Sequence, residues 1–417
     1  MRRFATAAFS ATALLALGLA APTAHAAPDE VASGTDLSQR VAGSYIVVLE
    51  DHSAARAVAD RHGNRYGADV DHVYRFALKG YSAQMSATAA ARVAALPGVR
   101  WVQPDYVVHA TAQTLPTGID RVDAEQSPTA RIDGSDQRVD VDVAVIDTGI
   151  DLDHPDLDVY TAGAKNCSTG RSADDGNGHG THVAGTVGAV DNTNGVVGVA
   201  PGARVWPIRV LDNRGSGSFS AIVCGIDYVT ANADRIEVAN MSLGGGGSDD
   251  GNCGASNNDA MHAAICRSVS AGVTYAVAAG NDASNAAGSV PAAYDEVITV
   301  SALADFDGKS GGLGSATCRS DVDDTFANFS NYGADVDIIA PGVCINSTWK
   351  SGGYNTISGT SMASPHVAGG AALYAANNPS ASPSTIKAAL QSAGTTDWNS
   401  TDDPDGIKEQ LLNVKTF

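Results

Sequence analysis

Val143-Ala144-Val145-Ile146-Asp147-Thr148-Gly149 decides the fold of this chain. Four consecutive apolar residues leave no polar face for solvent, so the stretch reads as a strand covered on both sides. It stops at a carboxylate and a turn. The strand reaches back to Val141, and further apolar runs follow at Arg204–Leu211, Glu237–Leu243, Val273–Ala278, Val297–Ser301 and Val336–Ile339. Helical stretches lie between or after them at Ala221–Thr230, Asn258–Ala271, Ser364–Ala376 and Ser382–Ser392. This alternation predicts an α/β fold, a doubly wound, mostly parallel sheet with helices on both faces, over residues 112–417. Sites in such sheets form at the carboxyl ends of strands, which is where Asp147 falls.

Upstream the pattern differs. Residues 43–111 read as a small α+β unit: strand Ser44–Leu49, helices Ala54–Tyr66 and Ala87–Leu96, strand Val99–Val102, then Gln103–Val108 running extended into a tail. Residues 27–42 read as a linker. Residues 1–26 read as an export signal, with Arg2 and Arg3 before an apolar run from Ala7 to Ala21 and Ala24-His25-Ala26 as the cleavage site. The run is shorter than the ~20 residues a membrane span needs and is interrupted by Ser10 and Thr12. A secreted, extracellular product is expected.

Charge narrows the partners. Residues 112–417 hold 16 Lys and Arg against 37 Asp and Glu, a net −21. Such a surface repels phosphate backbones and anionic membranes, so neither nucleic acid nor membrane is an expected partner. Nothing calls for an oligomer, and a monomer is expected. Six cysteines (Cys167, Cys224, Cys253, Cys266, Cys318, Cys344) in an exported chain favour disulfides. About 15 pairings are open, and sequential pairing is the expectation. A zinc site would want a C-x-x-C pair, which the chain lacks.

Three segments place reactive side chains where a buried strand ends or a helix begins. Asp147 closes the strand above, His179 lies in Gly178-His179-Gly180-Thr181-His182, and Ser361 in Gly359-Thr360-Ser361-Met362-Ala363. Singly each has a bland reading as turn former, cap or packed residue. Together they supply a nucleophile, a base that takes its proton and a carboxylate that orients the base. A serine at a helix start also has backbone N–H groups facing a developing oxyanion. His182 and His366 read as structural, because H-x-x-H lacks the glutamate and spacing of zinc peptidases.

These motifs resemble the subtilase family of serine endopeptidases, whose order Asp…His…Ser they share, across essentially all of 112–417. The resemblance implies a Ser-His-Asp acyl-enzyme mechanism in which Asp147 orients, His179 is base then acid and Ser361 is nucleophile. Asn281, in Ala278-Ala279-Gly280-Asn281, matches the oxyanion-hole amide. Peptide substrate would lie extended between Gly215-Ser216-Gly217 and Ser242-Leu243-Gly244-Gly245. Leu211, Phe219 and Leu243 match the outer subsites. Ala278, Ala279 and Gly280 would wall the first pocket, with Gly288-Ser289 at its floor, and no acid there favours basic residues. Broad cleavage with an apolar bias is expected.

The unit 43–111 resembles the family's propeptide, which chaperones folding and inhibits the enzyme; autocleavage is expected after Thr111. Calcium is the implied ion. Gln113, Asp156, Val190, Asn192, Asn194 and Val196 match one site, and Asp337 with Asp295 and Val297 a second. Within the insertion Asp305–Asp324, the acids Asp321, Asp323 and Asp324 read either as an ion site or as a solvated face. A catalytically dead scaffold would need a missing site residue, and none is missing. An esterase would carry G-x-S-x-G and the order Ser…Asp…His, which this chain does not.

Overall fold

Strand Asp142–Asp147 lies at the middle of an eight-stranded sheet, parallel to Arg204–Arg209 on one side and Ile236–Met241 on the other. Thr274–Ala278, Ile298–Ala304 and Ile338–Pro341 continue the sheet in parallel. Lys165–Asn166 joins parallel at one end, and Thr325–Phe326 pairs antiparallel with Ile298–Ala304. The computed structural model describes residues 40–106 and 113–417, in two units that divide at Ala110. The export signal, the linker up to Gln39, the tail Val107–Thr111 and Ala112 lie outside the described residues.

The apolar run of the central strand is explained by what covers it. All six residues of Asp142–Asp147 are buried. Val143 and Val145 pack with Val183 and Val187 of helix His179–Gly188 and with Met362 and Val367 of helix Thr360–Asn377. Ala144 and Ile146 point the other way, toward Ile222 and Ile226 of helix Phe219–Ala231 and Ile265 of helix Ala260–Ser270. Alternate side chains thus feed two apolar layers, each buried aliphatic contributing about 1.5–3 kcal/mol. The six expected strands of this unit all form. So do the four expected helices, the last being Pro383–Ala393.

Some elements differ from expectation. Helix Thr360–Asn377 begins four residues before Ser364, so Ser361 falls in its first turn. The antiparallel hairpin Ile345–Trp349 with Gly353–Ile357 was not foreseen. In the N-terminal unit a four-stranded antiparallel sheet runs in the order Asp69–Tyr74, Gly80–Gln84, Arg40–Leu49, Val99–Tyr106. Gly80–Gln84 has little intrinsic strand preference; pairing with Ser44–Val48 and burial of Tyr81 and Ala83 make it a strand. Helices Ala55–Tyr66 and Ala87–Ala94 close the same core through Ala59 and Val93.

All six cysteines pair in sequence order: Cys167–Cys224, Cys253–Cys266 and Cys318–Cys344. The insertion acids neither gather an ion as a trio nor face solvent. Asp324 receives Nε and Nη2 of Arg121 at 3.0 and 2.9 Å, Asp321 pairs with Arg319, and Asp323 accepts the amides of Phe306 and Gly314. All three are buried and spent on contacts within the protein, Asp324 reaching outside the insertion to Arg121. Among the described residues no helix is long and apolar enough to cross a membrane.

Candidate active site

Asp147 ends its strand fully buried, where its Oδ1 accepts the Thr148 amide at 2.7 Å and Nδ1–H of His179 at 2.8 Å. His179 is the first residue of its helix, and its side chain is a quarter exposed. Burial disfavours the imidazolium. The charge and hydrogen bond of Asp147, aided by Asp175, outweigh that and raise the His179 pKa above its ordinary 6.5. The Nδ1–H bond leaves Nε2 as the basic nitrogen.

Asp175 was not singled out from the sequence, yet it builds this corner. Its carboxylate accepts the amides of Asn177, Gly178 and Thr181 and the hydroxyls of Thr148 and Thr181. An acid at the start of helix His179–Gly188 satisfies its orphan donors and fixes where the imidazole emerges. His182 is buried against Ile345 O at 2.9 Å, and burial lowers its pKa to about 3. His366 donates Nδ1–H to Met362 O, and burial lowers it to about 4. Both are packing residues.

Ser361 sits in the first turn of its own helix, with Oγ 3.4 Å from Ser242 O. Pro365 lies four residues on and has no N–H to give Ser361 O. Ser242 Oγ donates to that carbonyl instead, at 2.8 Å. Asn240 Nδ2 donates in turn to Ser242 Oγ, and Ser364 Oγ to Asn240 Oδ1. A buried polar chain therefore bolts the serine's helix to the strand beneath it. Asn281 Oδ1 accepts the Thr360 amide at 2.8 Å and the Thr360 hydroxyl at 3.1 Å. With the amide oxygen so held, Nδ2 is left to face the cleft.

That cleft consists of two adjoining cavities of 540 and 560 Å³ that share Leu243 and Gly244. The first is lined by Ala278, Ala279, Gly280, Asn281, Ser289 and Ser361. The second is lined by His179, Leu211, Gly215, Ser216, Gly217, Phe219 and Ser242. Every residue expected to bind substrate thus lies on one cleft with the reactive side chains. Gly280 has φ +110°, and a Cβ there would come 2.3 Å from Asn331 Nδ2. Asn331, fully buried, holds Ala279 O and the amides of Asp282 and Ser284, so it shapes the first cavity's wall. No local motif distinguishes it.

This chain belongs to the subtilase family. Residues 139–407 match the model described as "Subtilase family", and residues 44–111 match "Peptidase inhibitor I9", an inhibitor propeptide domain. The chain is 35% identical to subtilisin amylosacchariticus of Bacillus subtilis subsp. amylosacchariticus, over 84% of this chain and 85% of that protein. It is 36% identical to the extracellular serine proteinase of Thermus sp. (strain Rt41A), over 88% and 89%. A solved cold-adapted subtilisin-like serine proteinase aligns with TM-score 0.56 at 34% identity, covering 72% of this chain and 98% of that one. The protein is a serine endopeptidase of subtilisin type that carries an inhibitor propeptide.

The two expected calcium sites of this subtilase differ. Around the first, Gln113 Nε2 lies 2.9 Å from Val190 O and 3.2 Å from Val196 O, and Asn192 Nδ2 lies 2.8 Å from Asp156 Oδ1. A half-turn of each amide would put an oxygen where its nitrogen now lies, beside these carbonyl and carboxylate oxygens, the donor type calcium takes. Asn194 lies in the exposed part of the same loop, its N–H donating to Asn192 Oδ1 at 2.6 Å. The second set is already served by a cation of the chain itself. Lys387 Nζ lies 2.8 Å from Asp337 Oδ1, 2.8 Å from Val297 O and 3.4 Å from Asp295 O. Its ammonium stands where calcium was expected, so Asp295, Val297 and Asp337 are corrected to the surroundings of a lysine.

Proposed function

We propose that this subtilase is a secreted endopeptidase that hydrolyses peptide bonds through Ser361, His179 and Asp147 and releases itself from its own propeptide. The observation that carries the reading is the 2.8 Å bond from His179 Nδ1 to buried Asp147, opening on the cleft that Ser361 and Asn281 also line. His179 Nε2 takes the Ser361 proton as Oγ bonds to the substrate carbonyl carbon. The weak 3.4 Å contact to Ser242 O leaves that hydroxyl free to turn to the imidazole. Negative charge on the carbonyl oxygen meets Asn281 Nδ2 and the amides of the helix start. The imidazolium then protonates the leaving amine, and water, activated by His179, cleaves the acyl-enzyme.

Peptide lies extended along Gly215–Gly217 and Ser242–Gly244, pairing backbone to backbone. Ala278, Ala279, Val290 and Ala292 in the lining and the lack of an acid at the Gly288–Ser289 floor support a broad, apolar preference, with Asp282 also on the lining. Calcium at Gln113, Asp156, Val190, Asn192, Asn194 and Val196 would tie the segment after the propeptide to the loop it docks on, where Thr114 N already donates to Gly195 O. The leader at 1–26 supports export.

The test is intact mass of purified wild type and Ser361→Ala, with casein hydrolysis alongside. Wild type shortened near Thr111 and active, with the variant unshortened and inactive, is the expected pair. A pure Ser361→Ala protein that still matures would overturn self-processing, and a peptide-library profile dominated by Arg or Lys would overturn the apolar bias.

A further inference from the structure

His262 stands in the first turn of helix Ala260–Ser270, fully buried, with carboxylates at both ring nitrogens. Its ring is pinned. Tyr294 stacks on the imidazole at 4.1 Å with the planes 2° apart, and the tyrosine hydroxyl donates to Asp259, the cap of the same helix. Nε2 lies 2.9 Å from Glu296 Oε2, and an ionised carboxylate only accepts, so Nε2 carries the hydrogen. Nδ1 is thereby aimed at Asp250 Oδ1, 3.4 Å away, and Asp249 Oδ1, 3.6 Å away, without a hydrogen-bond partner. His182 and His366 also leave one buried ring nitrogen unbonded, but neither belongs to a group of converging ligand side chains among the described residues. Here a nitrogen lone pair and two carboxylate oxygens lie within 4.8 Å of one another, and they repel unless a cation sits between them.

We propose that His262 Nδ1, Asp249 Oδ1 and Asp250 Oδ1 hold a zinc ion. Distance separates this from a simple ion pair. An N–H···O bond closes to about 2.7–3.2 Å, shorter than either separation here. Zinc bonds of about 2.0–2.2 Å, spread near the tetrahedral angle, set ligand atoms about 3.3–3.5 Å apart, close to what is found. Donor type selects the metal. Calcium takes oxygen ligands, whereas an imidazole with two carboxylates suits zinc. The nearby sulfurs of Cys253 and Cys266 are joined to each other and offer no thiolate.

The surroundings support the ligands. Gly251 N donates to Asp249 Oδ1, and Asn252 N and Gly254 N donate to Asp250 Oδ1, so both carboxylates are set in place. Glu296 behind the imidazole completes the carboxylate–histidine–metal arrangement that orients such a ring. The Asp249 side chain is 17% exposed, which gives the ion a way in and leaves the fourth position to water. Asp249 and Asp250 follow closely on Gly245 and Gly246, which line the first cavity, and Glu296 follows on Ala292 of the same lining. Asp249 Oδ2 also takes the Asp295 amide. Zinc would therefore clamp together two stretches that continue from the pocket wall, apart from the chemistry at Ser361.

The experiment titrates zinc by calorimetry into the full chain carrying Ser361→Ala, so that it does not digest itself, after chelator dialysis and at one fixed calcium concentration. His262→Gln, Asp249→Asn and Glu296→Gln are compared in that background. One zinc per chain is expected, with a zinc-dependent rise in unfolding midpoint. Both should be lost in His262→Gln, and affinity should fall at least tenfold in Asp249→Asn and about 10–100-fold in Glu296→Gln. Should His262→Gln fail to fold, Asp249→Asn, changed at the most exposed ligand, decides. No zinc binding, or equal affinity and stoichiometry in the variants, would overturn the site and leave His262 as a buried brace between carboxylates. Cobalt in place of zinc should give the visible absorption of a four-coordinate ion without a thiolate charge-transfer band. That band would show the Cys253–Cys266 bond opened to bind metal and would overturn the ligand set.

Discussion

Lys387 offers the sharpest test of how this subtilase departs from expectation, through the change Lys387→Ala. The ammonium lies 2.8 Å from Asp337 Oδ1 and from Val297 O, with side chains only 24% and 16% exposed for Lys387 and Asp337. Removing it strands a carboxylate and two carbonyls around a gap. A fully buried ion pair broken on one side costs ~3–5 kcal/mol, but water reaches this one, so about 1.5–3 kcal/mol is the working range for lost charge-assisted bonds. At roughly 2–4 °C per kcal/mol, the unfolding midpoint should fall by about 3–12 °C. Burial already raises the Asp337 pKa against the pull of Lys387. Without the lysine the folded-state pKa rises further. A carboxyl whose folded pKa is raised loses stability as pH climbs through it, so the deficit should be larger at alkaline pH and shrink on acidification.

The vacated position should then accept calcium. At an ion concentration about ten times a millimolar Kd, binding restores roughly 1.4 kcal/mol. The assay is thermal unfolding of the inhibited enzyme at one scan rate, in chelator and in calcium, for wild type and variant. The variant should gain more from calcium than wild type does. An unmoved midpoint, or equal calcium gains, would refute the reading that Lys387 stands in for a metal.

Two further predictions concern the cleft. Because Asp147 outweighs burial in raising His179, the acid limb of kcat/KM should lie above pH 6.5. Asp147→Asn should move that limb down and cut kcat by roughly 10⁴; a limb unmoved between pH 5 and 9 would dissociate the carboxylate from the base. Gly280→Ala puts a methyl 2.3 Å from Asn331 Nδ2 at φ +110°. It should destabilise by about 1–3 kcal/mol and raise KM as the wall shifts, measured by unfolding and peptide kinetics. Unchanged KM would show that Asn331 does not shape the pocket.

The chain by itself determined whatever is written in contiguous residues. Four apolar residues before Asp147 announce a strand covered on both faces, and His179 and Ser361 stand in short motifs at helix starts, so their meeting at one sheet edge follows from the fold class. Cysteine order matched the pairing, across separations of 57, 13 and 26 residues. Tertiary structure decided what depends on residues far apart in sequence. Pro365 leaves Ser361 O without its helical donor, but only the packing of Ser242, 119 positions earlier, shows what replaces it. Asn331 and Asp175 are ordinary polar residues until buried amides converge on them. Lys387 looks like any helix-surface lysine, and its role rests on reaching Asp337, Val297 and Asp295 across the fold. Hydrogen bonds and charges act over a few ångströms of space, whatever the separation along the chain, and a linear reading sees only the second of these distances.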